Sequence, residues 1–177
     1  MVTRPPDANF RIAVFLSSGD DASALRDRVD RIAKMMNAQL DRRSRLHLYV
    51  RRWEDEMPHR VAPGRTLLDE FIDMARDSHL TMVLLRTEIR PGTMGEIKGV
   101  MQEPSCDLAV VCFNEPGDAS LDPALTQFLD DNQYLFQYRY VGGPNSEIAW
   151  MTLFGVLFRA LAKAAFEQSE GLFHELR

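Results

Sequence analysis

Short apolar runs alternate with helix-length amphipathic segments along the chain, and this alternation constrains the fold more than any other feature. The apolar runs occupy residues 11–16, 46–50, 81–85, 107–113 and 134–141. Those at 81–85 and 107–113 are almost wholly apolar, as strands covered on both faces are. Strands of this kind separated by helices predict an α/β fold, with a mostly parallel sheet and helices on both faces.

The segments between the runs have helical periodicity. In residues 21–40, apolar side chains step by three or four, and the charged residues from Arg26 to Arg31 are assigned to the opposite, solvated face. Further helices are predicted over 65–78, from Thr93 onward, from residue 121, and from about 146 to 168. Five strands in this arrangement favour a five-stranded sheet of flavodoxin-like order 2-1-3-4-5. Its ligand-binding switch point lies between strands 1 and 3.

The composition places the chain among globular proteins. Its 177 residues, 45% hydrophobic and 27% charged, predict a flexible lead over 1–10, one domain over 11–168 and a tail over 169–177. A net charge of -5 argues against a nucleic-acid partner. The apolar run 148–158 is far shorter than the roughly 20 residues of a membrane span, so a buried core helix is expected. Two cysteines without a CxxC motif favour a cytoplasmic location.

Residues 80–101 form a predicted strand, turn and helix start that carries the main candidate site. Arg86, Glu88 and Arg90 follow the strand, and a Pro-Gly turn precedes Thr93 as candidate N-cap. Glu96 then falls in the expected first turn of the helix, whose N-terminus would favour its ionised form. Two interpretations remain open: Glu96 is a catalytic carboxylate, or Thr93 and Glu96 form only a capping box.

Three segments resemble one superfamily. RIAVFLSSGDD is similar to the opening strand and loop of TIR-like domains, and RPGTMGEIKGVM resembles the signature of nucleoside 2-deoxyribosyltransferases. The Arg-Arg-Trp-Glu segment and ARDSHLTMVLL are similar to uncharacterised TIR-related domains of bacterial NLR-like proteins. The resemblance spans residues 11–113. It implies cleavage or transfer of an N-glycosidic bond, with Glu96 acting at the anomeric carbon and Gly92 and Thr93 forming the turn before it.

Other polar residues are expected near the same switch point and could complete a substrate site. Ser17 and Ser18 could bind a phosphate or ribose, and Trp53 with Glu54 could stack a base and bind a hydroxyl. Arg86 and Arg90 could hold phosphates by bidentate hydrogen bonds, and Glu88 could orient a ribose hydroxyl. Each of these residues also has a purely structural interpretation, as a loop, a solvated surface residue or a packed aromatic.

The leading functional prediction is therefore a nucleoside or NAD N-glycosidase or a deoxyribosyltransferase-like enzyme. NAD or a nucleotide would be its substrate, with no cofactor, no metal and no membrane partner. The alternative is a non-catalytic TIR-like module that self-associates or senses a nucleotide within a larger signalling or defence assembly. The aromatic edge at residues 134–140 would serve that role. A flavodoxin-like response module is a third interpretation, weakened because no acidic phosphoacceptor ends the third strand. A homo-oligomer is expected in the first two cases.

Overall fold

A computed structural model describes residues 10–19, 22–40, 46–55, 61–113, 122–133, 136–138, 141–143 and 145–175. The strands are β1 Phe10–Ser18, β2 Leu46–Arg52, β3 Leu80–Leu85, β4 Asp107–Cys112 and β5 Phe136–Tyr138. The helices are α1 Ser23–Leu40, α2 Leu67–Arg76, α3 Pro91–Val100, α4 Pro123–Asp131 and α5 Glu147–Glu175. The predicted lead lies mostly outside the described residues, since β1 begins at Phe10.

The predicted α/β fold with a parallel sheet is confirmed. Strands β2, β1, β3 and β4 lie side by side in that order, and every pairing between them is parallel. The three-residue β5 pairs in parallel with β4 at the edge. It is much shorter than the strand expected over 134–141, whose residues 134, 135, 139 and 140 lie outside the described ranges.

Strand parity divides the core between the two faces of the sheet. The even-numbered side chains of β1 pack with α1 and α5, in the larger apolar cluster. Phe15 points to the other face, where it packs against residues of α2 and α3. Because side chains alternate along a strand, Ser17 points to the same face as Phe15. This parity directs Ser17 toward α3.

Strand β1 is longer at its carboxyl end than the sequence indicated. Ser17 and Ser18, expected in a loop, instead pair with Val83 and Leu84 of β3 as part of the sheet. Serines that follow an apolar run suggest that the strand has ended in a loop. Here the strand continues, because the backbone of β3 offers partners to both serines. Ser17 therefore sits on a rigid element rather than on a mobile turn.

Helix α3 packs closely against α2 because it carries glycines on the contacting side. A Cβ added at Gly99 would lie 2.5 Å from Ile72 Cγ2, and one at Gly95 would touch Leu68 at 3.5 Å. Helix α2 is itself fixed by a capping box in which Thr66 and Asp69 bond each other's backbone N–H groups. This close contact holds α3, and with it Glu96, at a set distance from the sheet.

Helix α5 differs most from its prediction. It runs to Glu175, beyond the expected end of the domain at residue 168. Its stretch Glu147–Glu167 contains an 18-residue window with a mean hydropathy of 1.5, so by length and composition alone it could cross a membrane. The uninterrupted apolar run within this stretch is still 148–158, because Arg159 and Lys163 follow it. The inward side of α5 is nevertheless part of the core, through Leu153, Leu157 and Leu161.

Candidate functional site

The side chains of Ser17 and Glu96 meet beside the carboxyl ends of β1 and β3. Ser17 Oγ donates a short hydrogen bond to Glu96 Oε2, and the two residues are 79 positions apart in the chain. Ser17 is fully buried and Glu96 is only 8% exposed. The contact brings together two predicted site residues at the point where this class of sheet binds ligands.

Burial raises the pKa of the Glu96 carboxyl to about 7, while the hydrogen bond from Ser17 opposes that rise. Within the described part of the chain, Glu96 takes part in no ion pair that could offset the loss of hydration. The direction is opposite to the predicted one, in which the helix N-terminus favoured the ionised form. At neutral pH the carboxyl is thus poised to be ionised or protonated, as a catalytic acid or base requires.

The start of α3 corrects the capping-box interpretation. The helix begins at Pro91, its N-cap is Arg90, and no side chain caps it. Thr93 is therefore inside the helix, buried on its core side, rather than at the N-cap. Glu96 lies in the second turn and bonds Ser17 rather than the Thr93 amide. Proline is favoured at the first helical position, and it places the N-cap three residues before the expected one.

A second polar cluster lies next to the first and is centred on Arg26 of α1. Its guanidinium is buried, with Nη1 donating to Ser18 Oγ at 2.6 Å and to the Gly19 carbonyl at 2.8 Å. Arg26 Nη2 pairs with Glu54 Oε1 at 2.5 Å. Arg26 thus connects the end of β1, which carries Ser17, to the segment that follows β2.

Trp53 forms one wall of this cluster. The Arg26 guanidinium lies 5.8 Å from the centre of the Trp53 ring, within range of a cation–π contact. Trp53 also meets Phe71 of α2 edge to face, with ring centroids 6.2 Å apart. The ring therefore has two neighbours, although it remains partly exposed.

Three buried polar atoms of the described residues have no hydrogen-bond partner: Arg26 Nε, Arg52 Nε and Glu54 Oε2. Two of them are donors and one is an acceptor, and Arg52 also lies 3.7 Å from Glu54 Oε1. Buried polar groups are normally satisfied by protein, water or ligand. The Arg26–Glu54–Arg52 group therefore retains capacity to bond a polar molecule.

The remaining predicted residues are more peripheral. Glu88 and Arg90 are about half exposed and bond each other, with 2.9 Å between Arg90 Nε and Glu88 Oε1. Arg86 is exposed on the same connection between β3 and α3. Gly92 is half-buried beside Leu68, where an added Cβ would make only a 4.0 Å contact. The structure gives none of these four residues a hydrogen bond to Glu96 or Ser17.

Arg26 is the residue that the sequence-based assignment missed, because it was placed on the solvated face of α1. A signal was present: Arg26, Val29, Ala33 and Asn37 are spaced by three and four residues, and all four are buried. Arg26 and Asn37 therefore lie at positions of the core-facing stripe, next to Leu25 and Met36. A charged residue on such a stripe indicates a buried partner, which here is Glu54.

No group of three or more His, Cys, Asp or Glu side chains within the described ranges is arranged to hold a metal ion. Both cysteines are buried and form no disulfide, and Cys112 lies in the core on β4. The site thus consists of carboxylates, hydroxyls, arginines and one indole.

Neither a protein-family model nor a curated protein sequence matches the chain.

Proposed function

We propose that the chain binds a nucleoside, a nucleotide or NAD and cleaves or transfers its N-glycosidic bond, with Glu96 as the catalytic carboxylate. In this proposal the chain is a TIR/deoxyribosyltransferase-like domain, and with β5 counted as the fifth strand its sheet has the flavodoxin-like order 2-1-3-4-5. The observation that carries the proposal is the buried Ser17–Glu96 pair at the carboxyl ends of β1 and β3. A buried carboxyl without a paired cation is costly, so its presence at this place supports a chemical role.

Departure of a base from the anomeric carbon leaves positive charge on the sugar ring. The ionised carboxylate of Glu96 would stabilise that charge or form a covalent bond to the anomeric carbon. Ser17 Oγ–H would hold the carboxylate in one orientation through its hydrogen bond, leaving Oε1 for the substrate. Because Glu96 is nearly buried, a substrate that reaches it has to displace neighbouring side chains.

The adjacent cluster would bind the rest of the substrate. Glu54 Oε2, a buried acceptor without a partner, is suited to a ribose hydroxyl, and the exposed part of Trp53 to a base. Arg86 and Arg90, on the connection before α3, would bind phosphates of a nucleotide or of NAD. These roles support a nucleotide-like substrate over a free sugar.

Incubating the chain with NAD and a panel of nucleosides and nucleotides, followed by chromatography of the released base, tests the proposal. Replacing Glu96 by Gln keeps the size and the contact with Ser17, and should lower the rate by roughly 100- to 1,000-fold or more. The matched control is Glu103→Gln, which should retain the wild-type rate. Glu103 lies on the connection between α3 and the start of β4, at the other end of the strands from Glu96. Base release that survives Glu96→Gln unchanged would overturn the assignment.

The pKa of Glu96 gives the proposal a pH signature. If the ionised carboxylate is the reactive form, kcat/KM should rise with pH and level off above an apparent pKa near 7. Glu96 acting only as a proton donor would give a rate that falls over the same range. Measuring rates from pH 5 to 9 with one substrate of the panel separates these two roles.

A non-catalytic, self-associating module remains the second candidate function. The observation that favours it is the low exposure of Glu96, which limits access to the carboxyl. Failure to release a base from any substrate of the panel, tested at several protein concentrations, would support this candidate.

A further inference from the structure

Helix α5 is apolar on both its inner and its outer side. Its inner side packs into the core through Ala149, Leu153, Leu157 and Leu161. Its outer side exposes Ile148, Met151, Phe154, Phe158 and Phe166, each by between 41% and 66%. Arg159 and Lys163 interrupt the apolar sequence of the helix, but apolar side chains outside the core-facing stripe of a helix are normally covered by a partner. Within the described part of the chain, these outer apolar side chains of α5 remain about half exposed.

The exposed side chains of α5 continue onto α1. Met35 of α1 is 53% exposed, and between the two helices lies a groove of about 610 Å³ whose walls include Met36, Leu40, Leu161 and Ala162. We call Ile148, Met151, Phe154, Phe158, Phe166 and Met35, with this groove, the α5 patch. Phe154 and Phe158 stack with ring centroids 6.4 Å apart and form a ridge beside the groove.

We propose that the α5 patch binds the same patch of a second copy of this chain, forming a two-fold symmetric dimer. Six large apolar side chains, each about half exposed and each roughly 200 Å² when fully accessible, present on the order of 600 Å². With the groove walls added, this approaches the ~800 Å² that one partner contributes to a stable interface. An exposed apolar area of this size also lies at the upper end of the range found for apolar patches on monomers.

The shape and charge of the patch favour a second copy over other occupants. A ridge and a groove side by side make the patch complementary to its own copy, which a two-fold interface requires. A bilayer span would have to pull the inner side of α5 out of the core. A membrane surface would attract a helix with a basic polar side. The basic residues among the described side chains of α5 are Arg159 and Lys163, and Lys163 already pairs with Asp107 at 2.8 Å. Because the chain also carries a net charge of -5, a membrane surface is the less favoured occupant.

Sedimentation velocity of the full chain over a wide range of concentrations tests the dimer. The weight-average mass should rise with concentration from 20.2 kDa toward twice that value. Replacing Phe158 or Met151 by Glu places a charge in the interface and should weaken dimerisation on the order of 100-fold. Both positions are exposed in the single chain, so the far-UV circular dichroism and the thermal midpoint should stay close to wild type.

The matched control is Leu67→Glu, which adds the same charge at an exposed apolar position on α2, away from the α5 patch. It should leave the dimer intact. A wild-type chain that stays monomeric at all concentrations overturns the proposal, and so does a dimer that Leu67→Glu weakens as much as Phe158→Glu. A monomer that sediments with phosphatidylserine vesicles, but not after Phe158→Glu, would assign the patch to a membrane surface instead. The sedimentation readout is independent of base release, so failure of either proposal can be recognised separately.

Discussion

Two glutamates lie near the carboxyl ends of the strands, and their surroundings differ. Glu54 follows β2, and Glu96 lies on α3, which follows β3. Glu54 has two arginines beside it, with Arg26 at 2.5 Å and Arg52 at 3.7 Å from Oε1. Glu96 is more deeply buried, and its partner among the described residues is the hydroxyl of Ser17. Arg26 and Arg52 therefore both pair with Glu54, which is the more exposed of the two carboxylates.

The difference separates a structural role from a chemical one. A buried pair of opposite charges fixes the segments that carry it, because breaking it leaves one charge uncompensated. A buried carboxyl without a cation instead has a raised pKa, and for Glu96 the pKa reaches about 7. We infer that the ion pair of Arg26 and Glu54 fixes the positions of α1 and of the segment after β2. Glu96, with a pKa of about 7, can be either protonated or ionised near neutral pH.

Removing Arg26, the cation closest to Glu54, should have the largest effect on stability. Arg26→Met keeps much of the side-chain volume but leaves Glu54 without its closest partner, and it frees Ser18 Oγ and the Gly19 carbonyl. We expect a loss of about 3 kcal/mol in the free energy of unfolding, measured by urea denaturation.

Arg52→Met is the matched comparison for Arg26→Met. Arg52 touches the same glutamate but is 20% exposed, and its other partners Asp27 and Asp55 are well exposed, so solvent screens its contribution. We expect it to lower the stability by about 1 kcal/mol or less. Equal losses for the two variants would show that Arg26 has no special role in fixing this edge.

The second prediction tests the raised pKa of Glu96 through the pH dependence of stability. In the folded chain the carboxyl stays protonated up to about pH 7, whereas in the unfolded chain it ionises near 4.5. Its contribution to stability is thus fully present below pH 4.5 and is lost as the pH rises through 7. Glu96→Gln removes this dependence.

Relative to wild type, Glu96→Gln should therefore be near neutral at pH 4 and more stable by about 3 kcal/mol at pH 8. Urea unfolding of both proteins at these two pH values measures the difference. Glu103→Gln provides the control, since Glu103 bonds Ser105 at the other end of the strands and has a lowered pKa. A difference between wild type and Glu96→Gln that does not change with pH would contradict the raised pKa.

A smaller effect than those of Arg26→Met and Glu96→Gln is expected from Ser17→Ala. The hydrogen bond from Ser17 lowers the pKa of Glu96, so its removal should raise that pKa further. We expect a cost of about 1 kcal/mol in stability. A carbon-13 NMR titration of the Glu96 carboxyl measures the pKa directly. Ser18→Ala, which removes a bond to Arg26 instead, should leave the pKa of Glu96 nearly unchanged.

Much of the site was present in the sequence as periodicity. Ser17 lies two residues after Phe15, so it shares that residue's face of the sheet, and Glu96 is spaced three and four residues from Thr93 and Val100 on the buried stripe of α3. The proximity of Ser17 and Glu96 follows once β1 and β3 are neighbours. The start of α3 and the end of β1 were misjudged, because local rules for caps and loops competed with proline geometry and with backbone pairing.

The α/β fold, the order of its strands and helices, and the placement of Glu96 after the third strand could all be predicted from the sequence. Those features depend on local periodicity and on chain order. Only the tertiary structure decided which carboxylate receives a cation, since Arg26 and Glu54 are far apart in the chain and meet through packing of α1 against β2. It also decided the pKa of Glu96 and the exposure of the outer side of α5. Burial depends on what the rest of the chain covers, and no local pattern contains that information.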